Sequence, residues 1–265
     1  MNDHVKRHDD IIDSSKRALI SLRYRTITKA SNQEFYQIQS DRKNSLYVGS
    51  YGRGTAINTS DIDMLLILPQ NEYQRFELSQ GNGPSRLLQV VKKAIQQAYP
   101  KSDIRADGQV VKINFSDSMK FEILPAFKKI DGTHVYPDSN MGGNWLSTNP
   151  KAEQIAMAEK NESSNGLLLD TCKHLRIIRD TGFSSYHLPG IVIDSFVFKA
   201  IDTWRWCPKE STPRRYSGQY EQKLLKFWED NLKNSKTIYA PGSNDTVELS
   251  NCNHVLEKVL HRMAD

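Results

Sequence analysis

Two aspartates one residue apart, Asp61 and Asp63, stand at the start of an apolar run over residues 62–68. In a β-strand alternate side chains leave the same face, so both carboxylates would point the same way, with their alpha carbons about 6.5 Å apart. Apolar residues occupy both faces of the rest of this run, which predicts a strand covered on both sides. Because Mg²⁺ prefers hard oxygen ligands, the pair predicts a site for Mg²⁺ or Mn²⁺.

A Gly-Ser pair, Gly49-Ser50, comes shortly before this strand. Glycine lets the backbone approach an anion without a clash of Cβ, and amides at a turn or helix start point toward negative charge. Ser50 adds a hydroxyl donor. Since Mg²⁺ usually binds through one or two carboxylates together with substrate phosphates, we expect the metal to arrive with a nucleotide whose phosphates lie at this pair.

A third carboxylate is expected, because two metal ions roughly 3.5–4 Å apart would activate an attacking hydroxyl and stabilise a leaving pyrophosphate. Residues 110–115 and 119–127 carry apolar side chains at alternate positions around a short turn, which predicts a β-hairpin. Glu122 is the carboxylate of the second arm. We expect it to complete the metal site with Asp61 and Asp63, and it is the candidate general base for the acceptor hydroxyl.

These motifs resemble those of the bacterial cGAS/DncV-like nucleotidyltransferases (CD-NTases of the SMODS type), the enzymes of CBASS anti-phage systems that make cyclic oligonucleotide signals. The first match is a Gly-Ser pair, an Arg-Gly-Thr and an Asp-x-Asp, met at Gly49, Ser50, Arg53, Gly54, Thr55, Asp61 and Asp63. The second match is a carboxylate before two apolar residues and Pro-Ala-Phe, met from Glu122 to Phe127, where the family more often has Asp.

The resemblance extends into the second half of the chain and implies further site residues. The residues that match occur in the same order as in the family: Trp145, Asn149-Pro150, Asn161, Asn165-Gly166, Lys173 and Ser185-Tyr186. In the family the matching lysine and serine touch the donor triphosphate, and the following tyrosine tends to stack on a base. The resemblance thus assigns Lys173, Ser185 and Tyr186 to nucleotide binding.

Several of these residues have simpler interpretations that the sequence leaves open. Lys173 could be a solvated position of an amphipathic helix, and Ser185-Tyr186 could be an ordinary capping segment. Glu122 could face water at a strand edge. Arg53 could contact phosphate or could brace its tight turn against a carboxylate.

Periodicity and resemblance together predict an α+β fold. Residues 1–144 would form a polymerase β-like nucleotidyltransferase catalytic lobe with a mixed sheet and N-terminal helices, and residues 145–265 a helical lobe, with the active site in the cleft. Apolar spacing predicts a helix over residues 10–25, and Ser31 to Glu34 have the capping-box spacing that would start another. Residues 131–148, rich in Gly and Pro, are expected to be a loop-rich connector.

Composition bounds the partners. A net charge of +5 and a pI of about 8.9 favour anionic ligands such as nucleotides. The basic clusters Lys128-Lys129 and Pro213-Arg214-Arg215 lack interleaved aromatic residues, so a stable nucleic acid partner is not expected. Three dispersed cysteines argue against a structural zinc site, and the sequence has no signal peptide or membrane span, so we expect a cytoplasmic protein without a membrane partner.

The residues predict a metal-dependent nucleotidyltransferase, and the resemblance implies that it joins NTPs, ATP among them, into a cyclic di- or trinucleotide messenger with release of pyrophosphate. Two alternatives stay open: a nucleotidyltransferase that modifies an RNA terminus or a protein hydroxyl, and an inactive sensor that binds nucleotide or RNA. Intact Asp61 and Asp63 disfavour the sensor, because two clustered like charges repel when no cation is present. The sequence does not identify an activating protein partner.

Overall fold

A computed structural model describes residues 3–207 and 218–265 of the chain. The described residues form two compact units. The sheet unit comprises residues 12–52 and 59–150, and the helical unit comprises residues 3–11, 53–58, 151–207 and 218–265. The basic cluster Pro213-Arg214-Arg215 lies outside the described residues.

The described residues contain nine α-helices and nine β-strands. The helices are α1 Ser14–Tyr36, α2 Gly49–Gly52, α3 Gln70–Glu77, α4 Gly83–Ala98, α5 Pro150–Ser163, α6 Leu167–Gly182, α7 Gly190–Ala200, α8 Gln219–Asn231 and α9 Asn253–Ala264. The strands are β1 Ser45–Tyr47, β2 Ile62–Ile67, β3 Asp103–Asp107, β4 Val110–Asn114, β5 Lys120–Lys128, β6 His134–Asp138, β7 Asn144–Thr148, β8 Thr237–Tyr239 and β9 Thr246–Glu248.

Seven strands of the sheet unit form one mixed sheet. Its order is β1-β2-β5-β4-β3, with β6 paired to β5 and β7 paired to β6. Strands β2 and β5 are parallel, and the other neighbours are antiparallel. The predicted hairpin is confirmed, because β4 pairs with β5 from Asn114 opposite Lys120 to Val111 opposite Ile123.

The sheet is buried on one face along its central strands. Ile62, Met64, Phe121, Ile123 and Ile113 are each at most 1% exposed, and α1 and α4 contact each other and the sheet. On the other face a smaller cluster of Val48, Leu65 and Ala126 is also buried. Strand β2 is therefore covered on both faces away from its first residues, as its apolar run predicts.

The N-terminal helices differ from the prediction. One continuous helix, α1, runs from Ser14, capped by the Asp13 carboxylate at the Lys16 amide, to Tyr36. The predicted capping box at Ser31 is wrong, because Ser31 and Asn32 are buried inside this helix. The Asn32 amide donates to the carbonyls of Ser40 and Lys43, so this polar residue is satisfied by the following loop and does not start a helix.

The segment over residues 131–148 is not the loop-rich connector that its composition predicts. It contains β6 and β7, which pair antiparallel from His134 opposite Thr148 to Asp138 opposite Asn144. Because β7 continues past residue 144, the sheet unit extends to Pro150. The predicted boundary between the lobes is at 144/145. The prediction also assigns residues 3–11 and 53–58 to the catalytic lobe, whereas the structure groups them with the helical unit.

The helical unit has its own apolar core. Buried side chains from α6, α7, α8 and α9 form one cluster, which includes Leu168, Leu175, Phe196, Trp228 and Leu256. The short ribbon β8-β9 belongs to this unit. Within the described ranges, no helix combines the length and the apolar character needed to cross a bilayer.

Candidate active site

Asp63 and Glu122, which come from separate segments of the sequence, lie next to each other in the sheet. Asp63 on β2 is directly opposite Glu122 on β5 in the parallel pairing. Neighbouring strands are about 4.8 Å apart, and residues in register project from the same face. The structure thus brings Glu122 beside Asp63, with the Glu122 side chain 33% exposed.

Asp61 lies just before β2 and is exposed. Among residues 3–207 and 218–265, no group of three or more His, Cys, Asp and Glu side chains is close enough to hold a metal by itself. Asp63 and Glu122 nevertheless offer hard oxygen donors in register, which fits a Mg²⁺ ion that takes its remaining ligands from substrate phosphates. The metal roles of Asp61, Asp63 and Glu122 stay predictions.

The Gly49-Ser50 pair lies beside Asp63. Gly49 begins the single-turn helix α2 with a φ of +58°, a conformation that favours glycine. A Cβ added at Gly49 would overlap the carboxylate of Asp63. The backbone therefore runs close beside Asp63 at this point, with Ser50 as the next residue of the turn.

Three tyrosines support the Gly-Ser turn, although no sequence motif assigns them a role. The ring of Tyr47 on β1 stacks on that of Tyr24 on α1, with centroids 3.9 Å apart, and contacts Tyr51 on α2 at 4.8 Å. Burial is the main reason that the pKa of Tyr47 is raised, so its hydroxyl stays protonated. Aromatic residues at 47 and 51 on either side of Gly49-Ser50 were the available signal.

A lysine lies on the other side of Glu122. Lys112 on β4 is opposite Glu122 in the antiparallel pairing, and its Nζ is 3.4 Å from Glu122 Oε1 and 2.8 Å from Asp107 Oδ2. The hairpin pattern contained this neighbour, because Lys112 and Glu122 are placed symmetrically about the turn. One row across β2, β5 and β4 therefore carries Asp63, Glu122 and Lys112.

Arg53 braces its turn against carboxylates, which was one of the two interpretations open from sequence. Its guanidinium donates to Asp194 at 2.9 Å and to Glu153 at 2.7 Å, and its side chain is only 8% exposed. Arg176 donates to both oxygens of the fully buried Asp194, at 2.7 and 3.0 Å. Thr55 donates to Asp194 as well.

Two neighbouring arginines keep the buried carboxylate of Asp194 charged. Burial by itself would raise the pKa of Asp194, but Arg176 and Arg53 together outweigh burial and lower that pKa. For Glu153 burial is the larger effect and raises the pKa in spite of Arg53. The network thus ties residues 53–58 to α5 and α7 of the helical unit.

The nucleotide-binding residues implied by the resemblance all belong to the helical unit. Lys173 lies on α6, with its Nζ 3.5 Å from the carbonyl of His8. Ser185 and Tyr186 lie in the exposed segment between α6 and α7. Their roles at a nucleotide stay predictions.

Tyr186 is supported from α9. Tyr186 is 44% exposed, with the ammonium of Lys258 4.6 Å from its ring centroid and the His254 ring edge-on at 5.9 Å. His254 and Lys258 are one helical turn apart, so both reach the same ring. An exposed tyrosine held in this way retains surface for a stacked base.

The N-terminal segment packs onto the helical unit, a contact that no sequence pattern predicts. The His8 amide donates to Asp170, and His8 Nε2 is 3.1 Å from His174 Nδ1. Val5 donates to Glu221. These contacts bind residues 3–11 to α6 and α8, and they place a backbone carbonyl next to Lys173.

Comparison with known sequences identifies the family. The pattern described as "Second Messenger Oligonucleotide or Dinucleotide Synthetase domain" matches residues 5–161, which is more than half of the chain. A probable cyclic nucleotide synthase of Bacillus cereus is 24% identical over 159 residues. That alignment covers 55% of this chain and 47% of the relative, so the chain spans about half the length of this curated protein.

Solved structures confirm the predicted fold class. The Elizabethkingia meningoseptica CdnE cyclic dinucleotide synthase with GTP and Apcpp has a TM-score of 0.63 at 14% identity, over 93% of this chain and 89% of that chain. The Rhodothermus marinus CdnE c-UMP-AMP synthase has a TM-score of 0.64 at 12% identity, over 99% and 92%. Escherichia coli DncV with 3'-deoxy GTP has a TM-score of 0.61 at 12% identity, over 98% and 85%. The likeness at such identities is one of fold, and the family match covers the segment that carries Gly49, Ser50, Asp61, Asp63 and Glu122. The chain therefore belongs to the Second Messenger Oligonucleotide or Dinucleotide Synthetase family, the cGAS/DncV-like nucleotidyltransferases.

Proposed function

We propose that this protein is a metal-dependent synthase that joins NTPs, with ATP among them, into a cyclic di- or trinucleotide messenger and releases pyrophosphate. The observation that carries the proposal is the pairing of Asp63 with Glu122 directly beside the glycine turn at Gly49. The solved relatives that hold GTP, Apcpp, Upnpp or 3'-deoxy GTP support nucleoside triphosphates as substrates. The anti-phage role is part of the proposal and rests on family membership.

The reaction is an in-line attack of a ribose hydroxyl on the α-phosphate of an NTP. A bond forms between the ribose oxygen and the α-phosphorus, and the bond to the β-phosphate oxygen breaks, so pyrophosphate leaves. Glu122 accepts the proton of the attacking hydroxyl, and the Gly49-Ser50 turn donates hydrogen bonds to the phosphates. Repeating the step on the linear intermediate closes the ring.

Asp61, Asp63 and Glu122 would hold the divalent cations, two in number when nucleotide is bound. Bound there, the cations would stabilise negative charge on the α-phosphate and on the leaving pyrophosphate. Lys173 and Ser185 would bind the donor triphosphate, and Tyr186 would stack on a base. Each of these roles predicts a loss of synthesis or of nucleotide affinity when its side chain is removed.

The test is incubation of the pure protein with all four NTPs and either Mg²⁺ or Mn²⁺, followed by mass spectrometry of the small-molecule fraction. We expect a cyclic oligonucleotide from the wild type and none from Asp63→Asn. Radiolabel from NTP that appears only on added RNA or protein would contradict the proposal in favour of a macromolecule-modifying transferase. Cellular function that survives Asp61→Asn with Asp63→Asn would contradict it in favour of a sensor.

A further inference from the structure

Lys112 stands between two carboxylates, one of which belongs to the candidate metal site. Its Nζ is 2.8 Å from Asp107 Oδ2 and 3.4 Å from Glu122 Oε1. The position follows from strand register, because Lys112 on β4 is opposite Glu122, which is in turn opposite Asp63 on β2. Asp107 is the last residue of β3, which pairs with β4 and lies at the edge of the sheet.

We propose that Lys112 is a positioning residue that pairs with Glu122 in the metal-free protein and is retained by Asp107 when Glu122 turns to a divalent cation. The inference rests on the proposed function, since it assumes that Glu122 is a metal ligand. It goes beyond that function by assigning a role to two residues outside the nucleotide site.

The charges of Asp63, Glu122 and Lys112 explain why Lys112 would pair with Glu122 in the metal-free protein. Asp63 and Glu122 are neighbouring carboxylates on one face, and like charges at this separation repel. Lys112 offsets that repulsion with a positive charge next to Glu122. An ammonium at this position also competes with a cation for the same oxygens, because two positive charges a few ångströms apart repel each other.

The unequal distances from Lys112 to its two carboxylates explain why Asp107 would retain it when Glu122 turns to a cation. Lys112 is nearer to Asp107 than to Glu122, at 2.8 Å against 3.4 Å. Moving Glu122 away therefore leaves the ammonium with its closer partner. The Lys112 and Glu122 side chains are 40% and 33% exposed, so both have room to change rotamer.

An ordinary surface ion pair would behave differently. Removing the lysine from an ion pair that lies away from any metal ligand changes stability slightly and leaves metal affinity unaltered. Under the proposed role, Lys112 and Asp107 have opposite effects on metal binding. Loss of Lys112 removes a competitor, whereas loss of the Asp107 charge leaves Lys112 with Glu122 alone.

The experiment measures Mn²⁺ affinity by electron paramagnetic resonance of free Mn²⁺, with the protein saturated by the non-hydrolysable analogue Apcpp. We expect Lys112→Met to tighten Mn²⁺ binding about three- to tenfold and Asp107→Asn to weaken it about two- to threefold. Lys112→Arg keeps the charge and should bind Mn²⁺ as the wild type does. Lys93→Met, an exposed lysine of α4, is the matched control and should change nothing.

The outcomes separate this inference from the proposed function. If Asp63→Asn weakens Mn²⁺ binding but Lys112→Met leaves it unchanged or weaker, the role of Lys112 is overturned and the metal site stands. If Asp63→Asn does not weaken Mn²⁺ binding, the metal site itself is overturned and the inference with it. Opposite changes in Lys112→Met and Asp107→Asn would support the inference.

Discussion

Asp63 and Glu122 face each other across the parallel pairing of β2 and β5, although two helices and two strands lie between them in the chain. Because the pairing is in register, neither side chain can leave this face without a shift of the whole strand. The relationship makes Glu122 the natural partner of the aspartate motif. It also makes the length and charge of residue 122 directly testable.

Replacing Glu122 by Gln should lower the rate of product formation by about 100-fold or more, because the amide neither accepts the acceptor proton nor binds a cation well. Glu122→Asp should retain more activity than Glu122→Gln, since it keeps the charge. Product is measured by chromatography of NTP reactions, and circular dichroism checks the fold. Asp103→Asn, an exposed carboxylate on β3, is the control, and equal losses in both variants would contradict the prediction.

Gly49→Ala should abolish synthesis. The added Cβ overlaps the Asp63 carboxylate, and the φ of +58° is strained for alanine at a cost of about 1 kcal/mol. Gly132→Ala is the matched control, because its φ of +86° carries the same strain while nothing lies within 4 Å of its Cβ. In urea unfolding Gly132→Ala should lose only the stability that the strained φ costs, and Gly49→Ala should lose at least as much, but only Gly49→Ala should lose activity. Activity that survives in Gly49→Ala would show that the turn tolerates a side chain beside Asp63.

Asp194→Asn should destabilise the helical unit strongly. The substitution leaves two buried guanidiniums, of Arg53 and Arg176, without the charge between them, and breaking a buried pair in this way costs about 3–5 kcal/mol. Chemical denaturation measures the loss. Asp230→Asn on the exposed face of α8 should be close to neutral. A loss below about 1 kcal/mol for Asp194→Asn would mean that the network adds little to stability.

Stability should fall as the pH drops from 6.5 toward 4, because His8 is buried as a neutral residue. Burial, with the neighbouring His174, lowers the pKa of His8 from 6.5 to about 4. Between these values the unfolded chain binds more protons than the folded protein, so the free energy of unfolding rises with pH and levels off above 6.5. One such histidine contributes at most about 1.4 kcal/mol per pH unit.

The measurement is urea unfolding of the wild type and His8→Gln at pH 7 and pH 5. The wild type should lose more stability between the two than His8→Gln does. His261→Gln, on the exposed side of α9, should keep the wild-type dependence. A His8→Gln slope equal to that of the wild type would contradict the assignment.

Tyr186→Ala should raise the KM for NTP about tenfold with a smaller effect on kcat, since stacking of one base on an aromatic ring is worth about 1–3 kcal/mol. Tyr186→Phe keeps the ring and should behave as the wild type. Tyr239→Ala is the control, because Tyr239 is 60% exposed on β8. If Tyr186→Ala leaves KM unaltered, the implied stacking role is wrong.

The sequence by itself determined the local chemistry of this protein. The Gly49-Ser50 turn and the hairpin that carries Glu122 follow from short-range rules of turn composition and strand alternation. These rules act over a few residues, so a single chain reveals them. The motifs were also specific enough to predict the family that the comparisons identify.

Only the tertiary structure decided which distant segments meet. No local rule pairs β2 with β5, finds the buried partner of Arg53 in Asp194, or binds His8 to α6. Strands β6 and β7 were missed for a related reason, since a Gly- and Pro-rich segment forms strands here only because β5 offers an edge to pair with. Such contacts depend on packing between residues far apart in the chain, and their free energy is realised only when the whole fold has formed.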